Sequence, residues 1–386
     1  MSKDRAFQVR RYSDWVDVPH HWRNKDCAPT PFQTDAFLTA WYETLGRQPG
    51  YEPMILEVLA PDTETAVALW PLVIRTRSGL REISFVDDEV SDNCAPLLRP
   101  NFQFDSQTLT DMWQSLRRAF PAADVLRFEK MPLKLFGQPN PLAVLGGTYS
   151  CPLTRNVLHT PNSFEEYSQS RTTKFSKEQR RVWRVFLRHD GARYDLLADK
   201  QRALSHFEQM EQHQSKRLAE MGAIDRSGQP VYHAFSRRLI ASGIDSGIIR
   251  FGALTVGDVL VGGLLGLTNG ASVSFIRISH APGQWSACSP GRLVLEKTIE
   301  AMHAEGCREF DLSVGDFQYK HAFGIVAEPL VNLLLPLSWR GRPFCIAAGL
   351  RQRLKQSPAI QGLRRRLVAI RKPAHGPEKA APTAEH

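Results

Sequence analysis

Apolar residues recur every four positions through 31–46, at Phe37, Trp41 and Leu45, and that spacing predicts an amphipathic helix. The period then shortens. Runs 54–59, 66–74 and 81–86 are rich in Val, Ile, Leu and Phe and read as strands; an acidic loop at 87–93, a helix near 108–120 and a strand at 124–128 follow. A proline-rich connection, 132–152, separates this half from the next. There the order returns, with strands at 248–254, 259–267 and 272–279, turns at Gly257-Asp258 and Asn269-Gly270, a helix at 290–304 and a strand at 309–313. Strand, strand, strand, helix, strand thus occurs twice, which predicts a duplicated mixed α/β (α+β) architecture, each copy a sheet flanked by helices. Between the halves, 172–190 and 200–221 read as helices. In the first, Phe175, Val182, Trp183, Phe186 and Leu187 share one face, and Lys174, Lys177, Arg181, Arg184 and Arg188 form a second stripe.

Length agrees with duplication. A chain of 386 residues exceeds one ordinary core, and the expected division is 1–150, 151–345 and a tail at 346–386. The formal charge of +9 invites a nucleic-acid reading, yet 346–386 holds nine Lys/Arg against two Glu, a net of +7 that leaves +2 for the rest. Basicity belongs to the tail. MSKDRAF has no apolar core of a secretion signal, and the longest apolar or glycine run, 259–267, is too short to cross a bilayer, so a cytoplasmic protein is expected. The six cysteines are scattered without a Cys/His cluster, which predicts reduced, mostly buried thiols and no metal site.

Candidate chemistry gathers in 283–324. Ser289 is an N-cap residue type, Pro290 suits the first helical position, and Gly291 leaves the first turn uncovered. A helix start of this kind attracts anions, so Ser289, Gly291, Arg292 and Leu293 are candidates to hold a diphosphate. Gly306 ends the helix, and after the next strand come Asp311, Asp316, Tyr319, Lys320 and His321. Such a group suits acyl transfer: Asp316 or His321 to take a proton from an amine, Tyr319 to protonate a leaving thiolate, Lys320 to stabilise charge. A capped turn with surface charges has the same spacing. His213 and Arg217, four apart, share a helix face, where a structural pair is the ordinary reading. The sequence lacks G-x-x-x-x-G-K-[ST], G-x-S-x-G and H-E-x-x-H, and the glycines of GDVLVGGLLG lie inside a strand pair, signalling close packing and not a dinucleotide loop.

The stretch SPGRLVLEKTIEAMHAEGCREFDLSVGDFQYKHAFG, with DLSVGDFQYK at 311–320 as its sharpest part, resembles the C-terminal block of the CelD-like (BcsL-like) acetyltransferases, a GNAT branch related to the Fem peptidyltransferases. Phe32-Gln33, Trp41, ALWPL at 68–72, the loop to Asp92, the Arg-rich helix with Arg181, and His213 with Arg217 and Gly222 follow as landmarks in the expected order. The resemblance implies tandem GNAT-like folds, the first degenerate, with acetyl-CoA or another acyl-CoA as co-substrate and an amine acceptor such as a sugar nucleotide. It implies that Asp311, Gly315, Asp316, Tyr319 and Lys320 match the site motif, and that Asp92, Arg181, His213 and Arg217 lie with Asp311 on the substrate side. The phosphate loop departs from the usual Gln/Arg-x-x-Gly-x-Gly/Ala, since 283–292 supplies Gly283 and Gly291 at another spacing. Because Fem-like relatives take their acyl group from aminoacyl-tRNA, the donor stays open between acyl-CoA and that tRNA. A third reading is a non-catalytic scaffold in exopolysaccharide assembly.

Past Gly341, leucines alternate with Arg351, Arg353 and Lys355, then with Arg364 to Arg366, Arg371 and Lys372, in two basic amphipathic pieces broken by Pro358. They read as a weakly ordered, solvated tail, with peripheral contact to an anionic membrane as the alternative. Residues 373–386 read as disordered.

Overall fold

A computed structural model of the protein describes residues 6–61, 63, 65–100, 102, 106–222, 228–315 and 318–356. The first half holds strands β1 (Gln8–Tyr12), helix α1 (Asp35–Glu43), β2 (Tyr51–Leu59), β3 (Ala66–Arg77), β4 (Leu80–Phe85), β5 (Leu97–Leu98), α2 (Ser106–Ala119) and β6 (Val125–Pro132). A small hairpin, β7 (Lys134–Leu135) with β8 (Gln138–Pro139), leads to β9 (Thr148–His159), α3 (Phe164–Ser170), α4 (Thr173–Phe186), β10 (Ala192–Leu197), α5 (Lys200–Glu220) and α6 (Pro230–Gly243). The second half continues with β11 (Ile249–Val256), β12 (Val259–Thr268), β13 (Ser272–His280), α7 (Pro290–Ala304), β14 (Glu309–Asp311), α8 (Gln318–His321), β15 (Val326–Pro336) and α9 (Gly341–Gln356).

The duplicated order is present in space. In each half three antiparallel strands, β2-β3-β4 or β11-β12-β13, are followed by a helix that crosses to a parallel strand, β6 beside β4 and β14 beside β13. The halves share one mixed sheet, in the order β1-β2-β3-β4-β6-β15-β9-β14-β13-β12-β11-β10. Its seam is crossed: β9, which follows the first half in the chain, pairs with β14, while β15 at the end of the second half pairs with β6 and β9. Residue 150 therefore falls within a strand. On one sheet face a single core joins Phe37 and Trp41 of α1 to Phe207, Phe235 and Phe251 of the second half. On the other face two clusters lie apart, one under α2 around Trp70 and Phe128, one under α4 and α7 around Phe186 and Phe310.

Two expectations change. Leu187 does not join the buried face of α4, because the helix ends at Phe186 and Leu187, as its C-cap, is exposed. The tail does not begin at 346: α9 runs to Gln356 and is seated on β15, with Phe344 under the Arg127 guanidinium 5.2 Å away. The second basic piece and 373–386 lie outside the described residues. Among the described residues no helix is long and apolar enough to cross a membrane.

Candidate functional site

Strands β13 and β14 pair over only three residues, Ser272↔Glu309 to Ser274↔Asp311, and then part. Strand β13 continues to His280, while the other chain turns away through Leu312 to Gly315, with Ser313 at φ 66° and Gly315 at φ 97°. A bulge aids the divergence. Leu265 pairs with Arg277 and Gly266 with Phe275, so Ile276 is the extra residue, and the local kink splays β13 from its parallel neighbour. The wedge left between them is a cavity of about 140 Å3, lined among others by Phe275, Ile278, Leu312, Ser313 and Tyr319. It borders a cavity on each side. Tyr319 and Ile278 also line a mouth of about 560 Å3 at the start of α7, and Ser313 and Arg277 also line a chamber of about 390 Å3 reaching loop 87–93 of the first half.

At the mouth the helix start differs from the sequence reading. Ser289 makes no side-chain cap; it sits at φ 46°, because the tight turn Gly283–Cys288 runs directly into the helix, and its Oγ accepts from Arg292 Nη2 at 2.9 Å. Leu293 is also reassigned: its side chain is core, and its N–H already donates to Ser289 O at 3.1 Å. Gly291 and Arg292 keep first-turn N–H groups that no intrahelical carbonyl reaches, and Pro290 has none to satisfy. A Cβ on Gly291 would stand 3.2 Å from the His280 ring, so glycine keeps the mouth open. Arg217, His280, Ser286, Ser289 and Arg292 line it without a carboxylate, which fits an anionic group at the positive end of a helix.

The far chamber has the opposite character. Asp92 and Glu89 line it with Gln214, Tyr232 and Ser236. Ser313 Oγ donates to Asp92 Oδ2. Burial lifts the Asp92 carboxyl above the usual carboxylate range, against the Ser313 hydrogen bond that lowers it, and the nearby Asp311 charge adds to the rise. At the junction, burial raises the Tyr319 phenol, offset in part by Arg217, so the hydroxyl keeps its proton at neutral pH.

Asp311 and Lys320, read from sequence as substrate-binding and catalytic, are both bonded into the framework of the site, and Lys320 also lines the wedge. Asp311 is buried; its Oδ2 takes Arg155 Nε and Asn93 Nδ2, each at 3.0 Å, and its Oδ1 takes the Ser313 N–H at 3.0 Å. The buried Lys320 ammonium donates to the carbonyls of Ser313, Val314 and Gly315 at 3.0, 3.1 and 3.2 Å. Both hold the turn that closes the wedge. His321 is exposed and lines none of the three cavities, and Arg181 lies on the outer surface of α4, paired with Glu178 at 2.8 Å. Asp316 lies outside the described residues. His213 is half-buried on α5, and its Nδ1 has no hydrogen-bond partner among the described residues; burial, with His280 and Lys216, holds it below the ordinary histidine value. The cysteine thiols are pushed up by burial, which disfavours the thiolate a covalent acyl-enzyme requires. Among the described residues no cluster is suited to a metal.

Ser313, Asn93, Arg155 and the bulged Ile276 escaped sequence reading. Each takes its place from strand pairing or from a contact across more than a hundred residues, and local spacing carries no sign of either.

Residues 173–321, which contain the mouth and the β13 wall of the wedge, match the family described as an acetyltransferase (GNAT) domain. No curated protein matches the chain. Among solved structures FemX superposes with a TM-score of 0.57 at 9% identity, covering 87% of this chain and 98% of FemX. A tandem GNAT protein from the clavulanic acid biosynthesis pathway (TM-score 0.44, 9% identity, 86% and 99% covered) and L-PGS from Bacillus licheniformis (0.46, 9%, 82% and 96%) superpose more loosely. The FemX likeness is one of fold. The stretch similar to a GNAT domain thus lies in a mixed α/β sheet shared with a first half of the same strand order.

Proposed function

We propose that the protein is an N-acyltransferase of the CelD-like kind, moving an acetyl or related acyl group from acyl-CoA to an amine in cell-envelope or exopolysaccharide metabolism. One observation carries the reading: three neighbouring cavities that share lining residues lead from the uncapped start of α7, past Tyr319, to the half-buried Asp92. Gly291 and Arg292 N–H with the Arg292 and Arg217 side chains hold the donor's diphosphate at the mouth. Strand β13, which runs on past the end of its pairing with β14 at Ser274, offers backbone groups to its pantetheine arm. Asp92 takes a proton from the acceptor ammonium; the free amine forms the C–N bond as the C–S bond breaks, the Tyr319 hydroxyl protonates the departing thiolate, and the proton the nitrogen sheds on becoming an amide restores that hydroxyl through solvent. The raised Asp92 carboxyl suits a base, and the buried thiols support direct transfer over an acyl-enzyme.

The test is calorimetric titration with acetyl-CoA. Wild type binds, and Arg292→Glu, placing a carboxylate beside the phosphates, weakens binding at least roughly tenfold. A wild type that binds no acyl-CoA removes this donor. A groove on α4 lined by Lys174, Lys177, Arg180, Arg181 and Arg184 supports a second reading, with aminoacyl-tRNA as donor. It requires tRNA affinity that falls steeply with added salt.

A further inference from the structure

Helix α9 is amphipathic in an inverted sense. Its inner side, Phe344, Cys345 and Ala348, is turned to the sheet, where Gln352 Nε2 also reaches Ser150 O at 3.0 Å. The outer side is apolar too. Pro343, Ile346, Ala347 and Leu350 fall at i, i+3, i+4 and i+7 and are all exposed, Ile346 at 64% and Leu350 at 55%. Trp339, four residues before Pro343, is 78% exposed. At 100° per residue this stripe is bordered by exposed Arg342 on one side and exposed Arg351 on the other. Along the chain its charge is of one sign: from residue 329 to residue 377 the sequence contains no Asp or Glu.

We propose that the outer face of α9 lies on an anionic lipid surface, with Trp339, Ile346 and Leu350 entering the headgroup boundary and the bordering arginines pairing with lipid phosphates. An exposed indole just ahead of the helix and two aliphatic side chains on its outer face, flanked by cations, are what an interfacial helix presents to a bilayer. Charge excludes a second copy as the better occupant, since face-to-face association would oppose Arg342 and Arg351 with their own images. No residue of the cleft takes part, so the inference stands apart from the proposed chemistry.

The test is co-sedimentation of the full chain with vesicles of phosphatidylglycerol and phosphatidylcholine against vesicles of phosphatidylcholine alone. The expected result is partition at least roughly tenfold stronger onto the anionic vesicles, weakening with added NaCl. Ile346→Asp/Leu350→Asp lowers that partition at least roughly tenfold while the melting temperature stays unchanged, because both side chains are solvent-facing. Ile346→Ser/Leu350→Ser, which adds no charge, lowers it in the same direction. Three results overturn the proposal: no binding to anionic vesicles; full binding by both double variants, which assigns attraction to tail charge alone; or a dimer mass in light scattering that the double variants abolish.

Discussion

Asp92 is the residue whose surroundings say most about chemistry. It comes from the first half of the chain, yet its partner is Ser313, beyond the last strand of the second-half repeat. Burial raises its carboxyl, and the sign of the consequence is fixed: the folded protein binds the proton more tightly than the unfolded chain. Stability is therefore lost as pH rises from the ordinary carboxylate value through the raised one, and the deficit persists above it. Asp92→Asn removes that loss. Its melting temperature relative to wild type is expected to be higher at pH 7 than at pH 4, because other carboxylates cancel in the difference. Differential scanning fluorimetry at the two pH values checks this, and a difference independent of pH would contradict it. Under the proposed mechanism the same variant loses roughly a hundredfold or more in kcat. Lys320 teaches the converse: its spacing beside Tyr319 resembles a catalytic group, but three carbonyl bonds make it the anchor of turn 313–315.

Among the elements, α7 is placed by glycines. Gly262 faces Pro290 O, which a Cβ at that position would approach to 3.2 Å, and Gly252 faces Thr298, where a Cβ would stand 2.0 Å from Oγ1. The helix start can point into the wedge only because β11 and β12 let it approach the sheet this closely. Gly252→Ala is expected to destabilise by about 2 to 3 kcal/mol in urea unfolding. Thr298→Ala in the same chain should restore part of that loss, since it removes the obstructing hydroxyl. Equal losses in the single and double variants would show that contact with Thr298 is not the cause. Gly262 was legible in the sequence as a packing position, and so were both three-strand runs, because apolar period and turn residues are local signals; Gly252 was not singled out. Strands β9 and β15 were not. Pro152, Pro329 and Pro336 interrupt them, and prolines normally demote a run; here the pairing of β15 with β9 slips between Pro329 and Val331, and the irregularity accommodates the ring. Ser289 failed differently: its residue type fits a cap, but the preceding turn forces a left-handed backbone that turns its Oγ to Arg292.

For the whole molecule, the expected boundary near residue 150 meets a sheet without a break. Strand β15 is paired on one edge to β6 and on the other to β9, and Arg155 on β9 reaches Glu309 and Asp311 on β14 and Glu328 on β15. Asn93 adds a bond from the first half to Asp311, at 3.0 Å. Composition and proline content located a connection between repeats, but they carry no information on which strands the connection joins. A crossed seam and a core shared by α1 and α6 couple the halves energetically, so the described sheet is expected to unfold in one calorimetric transition whose van 't Hoff and calorimetric enthalpies agree. Arg155→Met is the sharper probe. It leaves buried Asp311 without its cation and is expected to cost about 3 to 5 kcal/mol, lowering the single transition as a unit. Asp311→Asn added to it should recover part of the loss, because the unpaired charge is then gone. If the variant instead splits the trace into two transitions, with the first half melting at its wild-type temperature, the seam is a contact between independent domains and the donor and acceptor ends of the cleft are held only loosely in register.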